Sequence, residues 1–351
     1  MKQRYRPQRN YGCRIHDQYT YMGLDVVVLE NDLVRISVLP GKGTDIFEYV
    51  HKPAGIDYMW LSAGGVQNPS AYLPTSPDPV STMIDYFAGG WQVAFPNGGP
   101  TSVYKGAQFG QHGEVTHMPW DWTILEDSED RIAVRFSVRT KKVPYRMTRT
   151  MALDKHSPAL TIEEEIENVS AFPQQYMWGQ HITFGRPFVE PGCRIRLPDG
   201  IRVITEAVDS PVCSPGRIRR GVPQSWPLAI APDGTQIDLS VLPEHGSPPD
   251  ICYLTGFEEL AWYEIENPRL GASLRVEWDA KTLPHLWYWQ EFGASDGYPW
   301  YGRHYNIGLE PFAGYPTWGL QEAIRNGSAG EIGPYESKKL QLRVKPASWR
   351  A

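Results

Sequence analysis

The feature that most limits what this chain can fold into is a two-residue period that returns along its length. In Arg131-Ile132-Ala133-Val134-Arg135-Phe136-Ser137-Val138-Arg139 the even positions are apolar, and Arg131, Arg135 and Arg139 take odd ones. Successive strand residues point to opposite faces, so this pattern predicts a half-buried strand. Tyr145, Met147, Met151 and Leu153 share a face in the next run, and Leu160, Ile162, Glu164 and Ile166 in the one after. Leu274, Val276 and Trp278 repeat the pattern, and Leu340, Leu342 and Val344 supply a closing strand. Shorter strands are expected over 25–29, 33–39, 45–50, 201–205, 237–241 and 260–265. Turn signals such as Pro96-Asn97-Gly98-Gly99-Pro100 and Pro198-Asp199-Gly200 punctuate the runs, and only Trp318–Arg325 reads as a short helix.

No linker, repeat or change of composition divides the 351 residues. The expectation is one large all-β domain over residues 1–351, an antiparallel β-sandwich, with residues 1–23 as an N-terminal arm. The segment Gly64–Gly90, rich in Pro, Ser and Tyr, is an irregular excursion of a length often functional in compact domains.

The net charge of −6, with acids and bases interspersed, argues against nucleic acid or an anionic membrane as partner. No run approaches the roughly 20 apolar residues of a membrane span. The basic N-terminus (Lys2, Arg4, Arg6, Arg9) lacks the apolar stretch of a signal peptide, and suits a loose arm or one that covers a partner copy; a homodimer is left open. Cys13, Cys193, Cys213 and Cys252 show no metal-ligand spacing, so they are expected to be reduced, packed thiols in a cytoplasmic protein. The 13 Trp and 19 Tyr suit sugar binding on a β scaffold, and equally suit a large aromatic core.

Four stretches carry candidate chemistry. Tyr305-Asn306-Ile307-Gly308-Leu309-Glu310-Pro311-Phe312 reads as a strand that presents one carboxylate before Pro311 interrupts the ladder. A carboxylate in apolar surroundings can be tuned to act as a base near neutrality; an edge-strand salt bridge is the alternative. The others are Gly89–Pro100 with Gln111-His112-Gly113, Met177-Trp178-Gly179-Gln180-His181-Ile182-Thr183-Phe184-Gly185, and Leu283-Pro284-His285-Leu286-Trp287-Tyr288-Trp289-Gln290. In this order, together with Val38–Ile46 and the tail from Gly319, they resemble the aldose 1-epimerase (galactose mutarotase-like) superfamily in a divergent branch, over roughly residues 24–346.

The resemblance implies a giant β-sandwich with a sugar-binding cleft, interconverting the α and β anomers of an aldose or modified sugar. Ring opening needs a base at the C1 hydroxyl and an acid at the ring oxygen, on opposite sides of one hemiacetal, exchanging roles on closure. By carry-over Glu310 is the base, His181 the acid, and His112 binds a sugar hydroxyl. Asp250 stands roughly where relatives place an acidic residue for a sugar hydroxyl, Trp289 would form an aromatic wall, and Asn97 and Arg303 are polar groups in nearby loops. Each also suits a plain structural role: core histidine or tryptophan, turn cap, surface polar group. His117 and His304 are competing histidines without a family match. No metal or cofactor is required by this chemistry, and the partner is a small-molecule sugar. One departure stands out: many relatives have an arginine where this chain has Ala88, so Lys42, Arg186 or Arg303 would have to replace it, or the substrate differs. A carbohydrate-binding protein without turnover is the alternative reading. So is a glycoside hydrolase or lyase pairing Glu310 with Asp250 or Glu291.

Overall fold

The computed structural model describes residues 8–71, 83–208 and 213–349. Its dominant features are a 14-stranded and an 8-stranded antiparallel sheet, face to face, with a core that runs from Cys13 to Val344. The expected β-sandwich is therefore the observed one.

The smaller sheet contains the strands with the cleanest alternation. Arg131–Arg139 pairs with Tyr145–Asp154 in unbroken register, from Arg131 opposite Asp154 to Arg139 opposite Arg146. Ile132, Val134, Phe136 and Val138 are buried, whereas Arg131, Arg135 and Arg139 face solvent. The closing strand, Ser337–Ser348, fits between Leu160–Asn168 and Ala272–Asp279. The apolar faces of these strands include two charged residues. Arg149 and Glu164 sit opposite one another, both buried, with Arg149 Nε 3.0 Å from a Glu164 oxygen.

At the centre of the larger sheet the order is Asp45–His51, Trp91–Ala94, Gly179–Gly185, Asn306–Phe312, His285–Phe292, Ser247–Thr255 and Arg202–Ile204. Every residue of Gly179–Gly185 and of Asn306–Phe312 is buried, so both faces of these strands are covered. One face packs on the smaller sheet: Gln180 donates to Glu164 across the core at 2.7 Å. The opposite face carries His181 and Glu310.

Several expectations need adjustment. Arg14–Tyr21, placed in the N-terminal arm, is a strand paired with Leu24–Glu30 at the sheet edge, and Cys13 is buried; residues 1–7 of that arm lie outside the described residues. Alternation is obscured there by polar residues on both faces, as an edge strand permits. Pro311 does not end its strand, because Phe312 still pairs with Gly179 on one side and His285 on the other. The strand expected over 237–241 is instead Gln236–Asp238. The helix is shorter, Leu320–Arg325, preceded by Gly319 at a positive φ of 88°. Residues 72–82 of the Gly64–Gly90 excursion lie outside the described residues. The four cysteines are buried and free, and among the described residues no helix is long and apolar enough to cross a membrane.

Candidate active site

The register of the larger sheet sets one row of side chains side by side. Gly179 pairs with Phe312 and Thr183 with Gly308, which sets His181 across from Glu310; His181 also pairs with Gln92, and Glu310 with Trp287. His181 Nε2 lies 3.6 Å from Glu310 Oε1, with both residues buried on the floor of a pocket. They are thus adjacent on one floor, at a single hollow. Gly308 makes this arrangement possible: a Cβ there would stand 2.3 Å from Glu310 Oε1.

The pocket holds about 520 Å³ of empty space, counted out to bulk solvent. Phe87, Trp287, Trp289 and Trp300 supply aromatic walls, and Met83, Ile84 and Ile251 aliphatic ones. Its polar lining consists of Gln111, His112, His181, Glu310 and Thr317. A mostly apolar hollow with a few convergent polar groups is the usual form of a small-molecule site.

The His112-Gly113 pair has a backbone reason. His112 has a φ of 59° and Gly113 one of 85°, and a Cβ on Gly113 would lie 2.3 Å from the Phe95 carbonyl oxygen. Glycine alone permits that approach. The same turn is held by His112 N–H donating to the Gly99 carbonyl and by Gly99 N–H donating to His112 Nδ1 at 3.2 Å. Because Nδ1 accepts, the proton of the neutral ring is assigned to Nε2, which lies 3.4 Å from the side-chain amide nitrogen of Gln111 on the pocket lining. The His112 and His181 rings meet edge to face at 4.9 Å.

Electrostatics follow from burial. The Glu310 carboxyl is held well above the ordinary carboxylate range by desolvation, with no other cause of comparable size. Desolvation also lowers His181 to about 4 and pushes His112 well below its usual value. Burial thus disfavours the charged form of each group, which favours a neutral carboxylic acid beside a neutral imidazole. A charged pair would require the low-dielectric floor to hold two ions.

Asn97, Asp250, Arg303, His117 and His304 fall outside the pocket lining. Asn97 spends its amide on the loop itself, donating to the Pro100 and Gly110 carbonyls and accepting from Leu320 N–H. Asp250 is buried in an ion pair with Arg220 at 2.8 Å and accepts from the Ile218 and Ile251 backbone. Arg303 is exposed, near the Tyr301 ring. His304 packs behind the wall against Trp60 and Trp300, and His117 is exposed. Trp289 does line the pocket. Glu291, the other carboxylate considered for hydrolysis, accepts from Gly293 N–H and Ser295 Oγ and is not in the lining, so among the described residues Glu310 is the acidic one there. Ala88 packs among Leu24, Val26 and Val28, Lys42 is buried in a pair with Asp45, and Arg186 is exposed, so none of the proposed cations replaces the relatives' arginine in the lining. Gln111 and Thr317 were missed; the only sequence signal for Gln111 was its place beside His112.

The fold is that of the galactose mutarotase-like proteins. A candidate aldose 1-epimerase from Klebsiella pneumoniae superposes with a TM-score of 0.72 at 14% identity, over 95% of this chain and 83% of its own. Galactose mutarotase-like proteins from Clostridium acetobutylicum and Lactobacillus casei give TM-scores of 0.65 and 0.60, with 12% and 16% identity. The first alignment covers 96% of this chain and 99% of the other, the second 92% and 100%. At these identities the likeness establishes the fold. A search of curated proteins finds no match. The chain belongs to the family described as a domain of unknown function, DUF4432, whose profile matches residues 21–210, more than half its length.

Proposed function

We propose that this protein is a carbohydrate mutarotase of the aldose 1-epimerase type, a single β-sandwich domain acting on a neutral sugar in the cytoplasm. The observation that carries the reading is the His181–Glu310 pair, 3.6 Å apart on the floor of an aromatic pocket, with His112 against His181.

Mutarotation needs one proton removed from the C1 hydroxyl and one given to the ring oxygen. Both oxygens are bonded to C1, so adjacent groups suffice and opposite walls are unnecessary. The resting proton reverses the starting roles carried over from relatives: neutral His181 takes the hydroxyl proton while protonated Glu310 gives its own to the ring oxygen. The C1–ring-oxygen bond breaks, leaving an open aldehyde over an adjacent imidazolium and carboxylate. After rotation about C1–C2, imidazolium returns a proton to the carbonyl oxygen as the carboxylate takes one from the attacking hydroxyl. Both groups end as they began, so the cycle balances without cofactor. His112 Nε2–H would hold a sugar hydroxyl, and Trp289 would face the sugar's C–H surface. The absence of a cation from the lining among the described residues favours a neutral sugar over a phosphorylated or acidic one.

The test is NMR anomer exchange over a panel of neutral aldoses. Exchange faster than in buffer is expected for at least one; a panel without any defeats the reading. Sugar binding without turnover is the second reading, favoured by the missing cation, and it predicts affinity without exchange.

A further inference from the structure

The row of side chains holding Glu310 does not end at Trp287. Trp287 pairs with Tyr253, and Tyr253 with Ile204, so these residues share one face of the sheet with the catalytic pair. With strands about 4.8 Å apart, Tyr253 lies two spacings, roughly 10 Å, from Glu310. A second hollow opens there, with about 1300 Å³ of empty space counted to bulk solvent. The two hollows share a wall. Thr317 lines the first and its neighbours Pro316 and Trp318 the second, while Thr317 N–H donates to the Tyr253 hydroxyl at 2.9 Å.

Two independent features of this hollow suit a ligand. Trp318 is 37% exposed and Tyr315, packed 5.6 Å from Tyr253, is half-buried, so two rings offer faces on the cleft. Glu206 accepts the Tyr253 hydroxyl through one oxygen, and its Oε2 is buried with no partner among the described residues. A buried carboxylate oxygen without a donor is costly, and because Glu206 lines the hollow, a turn of its carboxyl would bring that oxygen to a ligand hydroxyl and remove the cost. Burial raises the Glu206 carboxyl to about 7, so near neutrality it can donate as well as accept, as a sugar hydroxyl can.

We infer that the hollow between Tyr253 and Trp318 is a subsite for a second sugar ring, linked to the ring in the first pocket. The substrate class is then an oligosaccharide that enters by its reducing end. This rests on reading the first pocket as the anomeric site.

The test is calorimetric titration of the full chain with glucose and galactose, and with maltose, cellobiose and lactose. At least one disaccharide should bind about tenfold tighter than its reducing-end monosaccharide, the scale of one added aromatic contact. In Trp318→Ala that ratio should fall toward one, and Trp318→Phe should restore most of it. Equal affinities for disaccharide and monosaccharide, a ratio untouched by Trp318→Ala, or no binding by any of these sugars would each overturn the subsite. Anomer exchange separates the two readings. Monosaccharide exchange without disaccharide preference removes the subsite and leaves the mutarotase; disaccharide preference without exchange does the reverse.

Discussion

Gln180 and His181 are neighbours in one strand, and each leads to a buried carboxylate treated in the opposite way. Gln180 points between the sheets and donates to Glu164 at 2.7 Å; Glu164 also accepts Trp178 Nε1 at 3.1 Å and lies 3.0 Å from Arg149 Nε. His181 points into the pocket, 3.6 Å from Glu310, and Glu310 accepts no hydrogen bond from the described residues. Burial raises both carboxyls. For Glu164 the Arg149 charge and the bonds from Gln180 and Trp178 oppose the rise, whereas nothing opposes it for Glu310. A carboxylate held by a buried guanidinium and two side-chain donors belongs to the fold. One left without donors at the edge of a hollow is available to a ligand, and buried polar groups without partners call for such a reason.

The sharpest way to break this contrast is to neutralise each carboxylate's surroundings in turn. Glu310→Gln should lower anomer exchange by about 10²–10⁴-fold while the unfolding midpoint stays near that of the parent chain. Unchanged exchange would remove Glu310 from the chemistry, and retained affinity with no exchange in either protein would mark a binding protein. Arg149→Met should act on stability instead. It leaves Glu164 buried beside a lost charge, a loss of about 3–5 kcal/mol by denaturant unfolding. Adding Glu164→Leu should recover much of it, since a buried pair replaced as a unit by apolar groups is often neutral. If Arg149→Met costs nothing, Glu164 is not the structural member of the comparison.

These two carboxylates were unequally legible in the sequence. Glu164 shares its alternation with Leu160, Ile162 and Ile166, so its place on the buried face could be read from the two-residue period, though not its partner. Glu310 and His181 have no local signal that unites them. Their meeting depends on the register between distant strands, and only the resemblance to a family joined them in advance. Asn97, Asp250 and Arg303 were chosen for chemical type near suggestive motifs. What decides their duty is the backbone groups or solvent around them, as with the Pro100 and Gly110 carbonyls for Asn97 and the Ile218 amide for Asp250, and no periodicity reports those. The sandwich was readable because burial of alternate residues is local; the pocket was not, because loops such as Gln111–Gly113 assemble it.

Smaller effects sharpen the contrast from the pocket side. Gly308→Ala puts a methyl group 2.3 Å from Glu310 Oε1 and 3.3 Å from Trp289, so the carboxyl must move while the strand persists. A displacement of this order should lower the exchange rate by about 10²-fold with far less effect on sugar affinity. Unchanged kinetics would mean that the distance between His181 and Glu310 is not critical.

The least of the expected effects is on stability against pH. His181 titrates near 6.5 when unfolded and is lowered to about 4 by burial in the folded chain. A depressed histidine binds its proton more readily once unfolded. Its contribution to stability is therefore full above pH 6.5, declines as the pH falls, and is gone below about 4. Glu310, raised by burial, works in the other direction: its contribution is present below the unfolded value of 4.5 and is lost as the pH rises through the folded one. Between pH 6.5 and 4 the His181 share can be isolated by comparing denaturation midpoints of the parent and His181→Asn. The variant should lose less stability over that interval, and the remaining slope is the sum of other lowered histidines such as His112 and His285 and the opposing share of raised carboxyls such as Glu310. Identical slopes would mean that His181 is solvated enough to take up a proton in the folded state. The neutral resting pair, on which the exchange of roles between imidazole and carboxyl depends, would then be wrong.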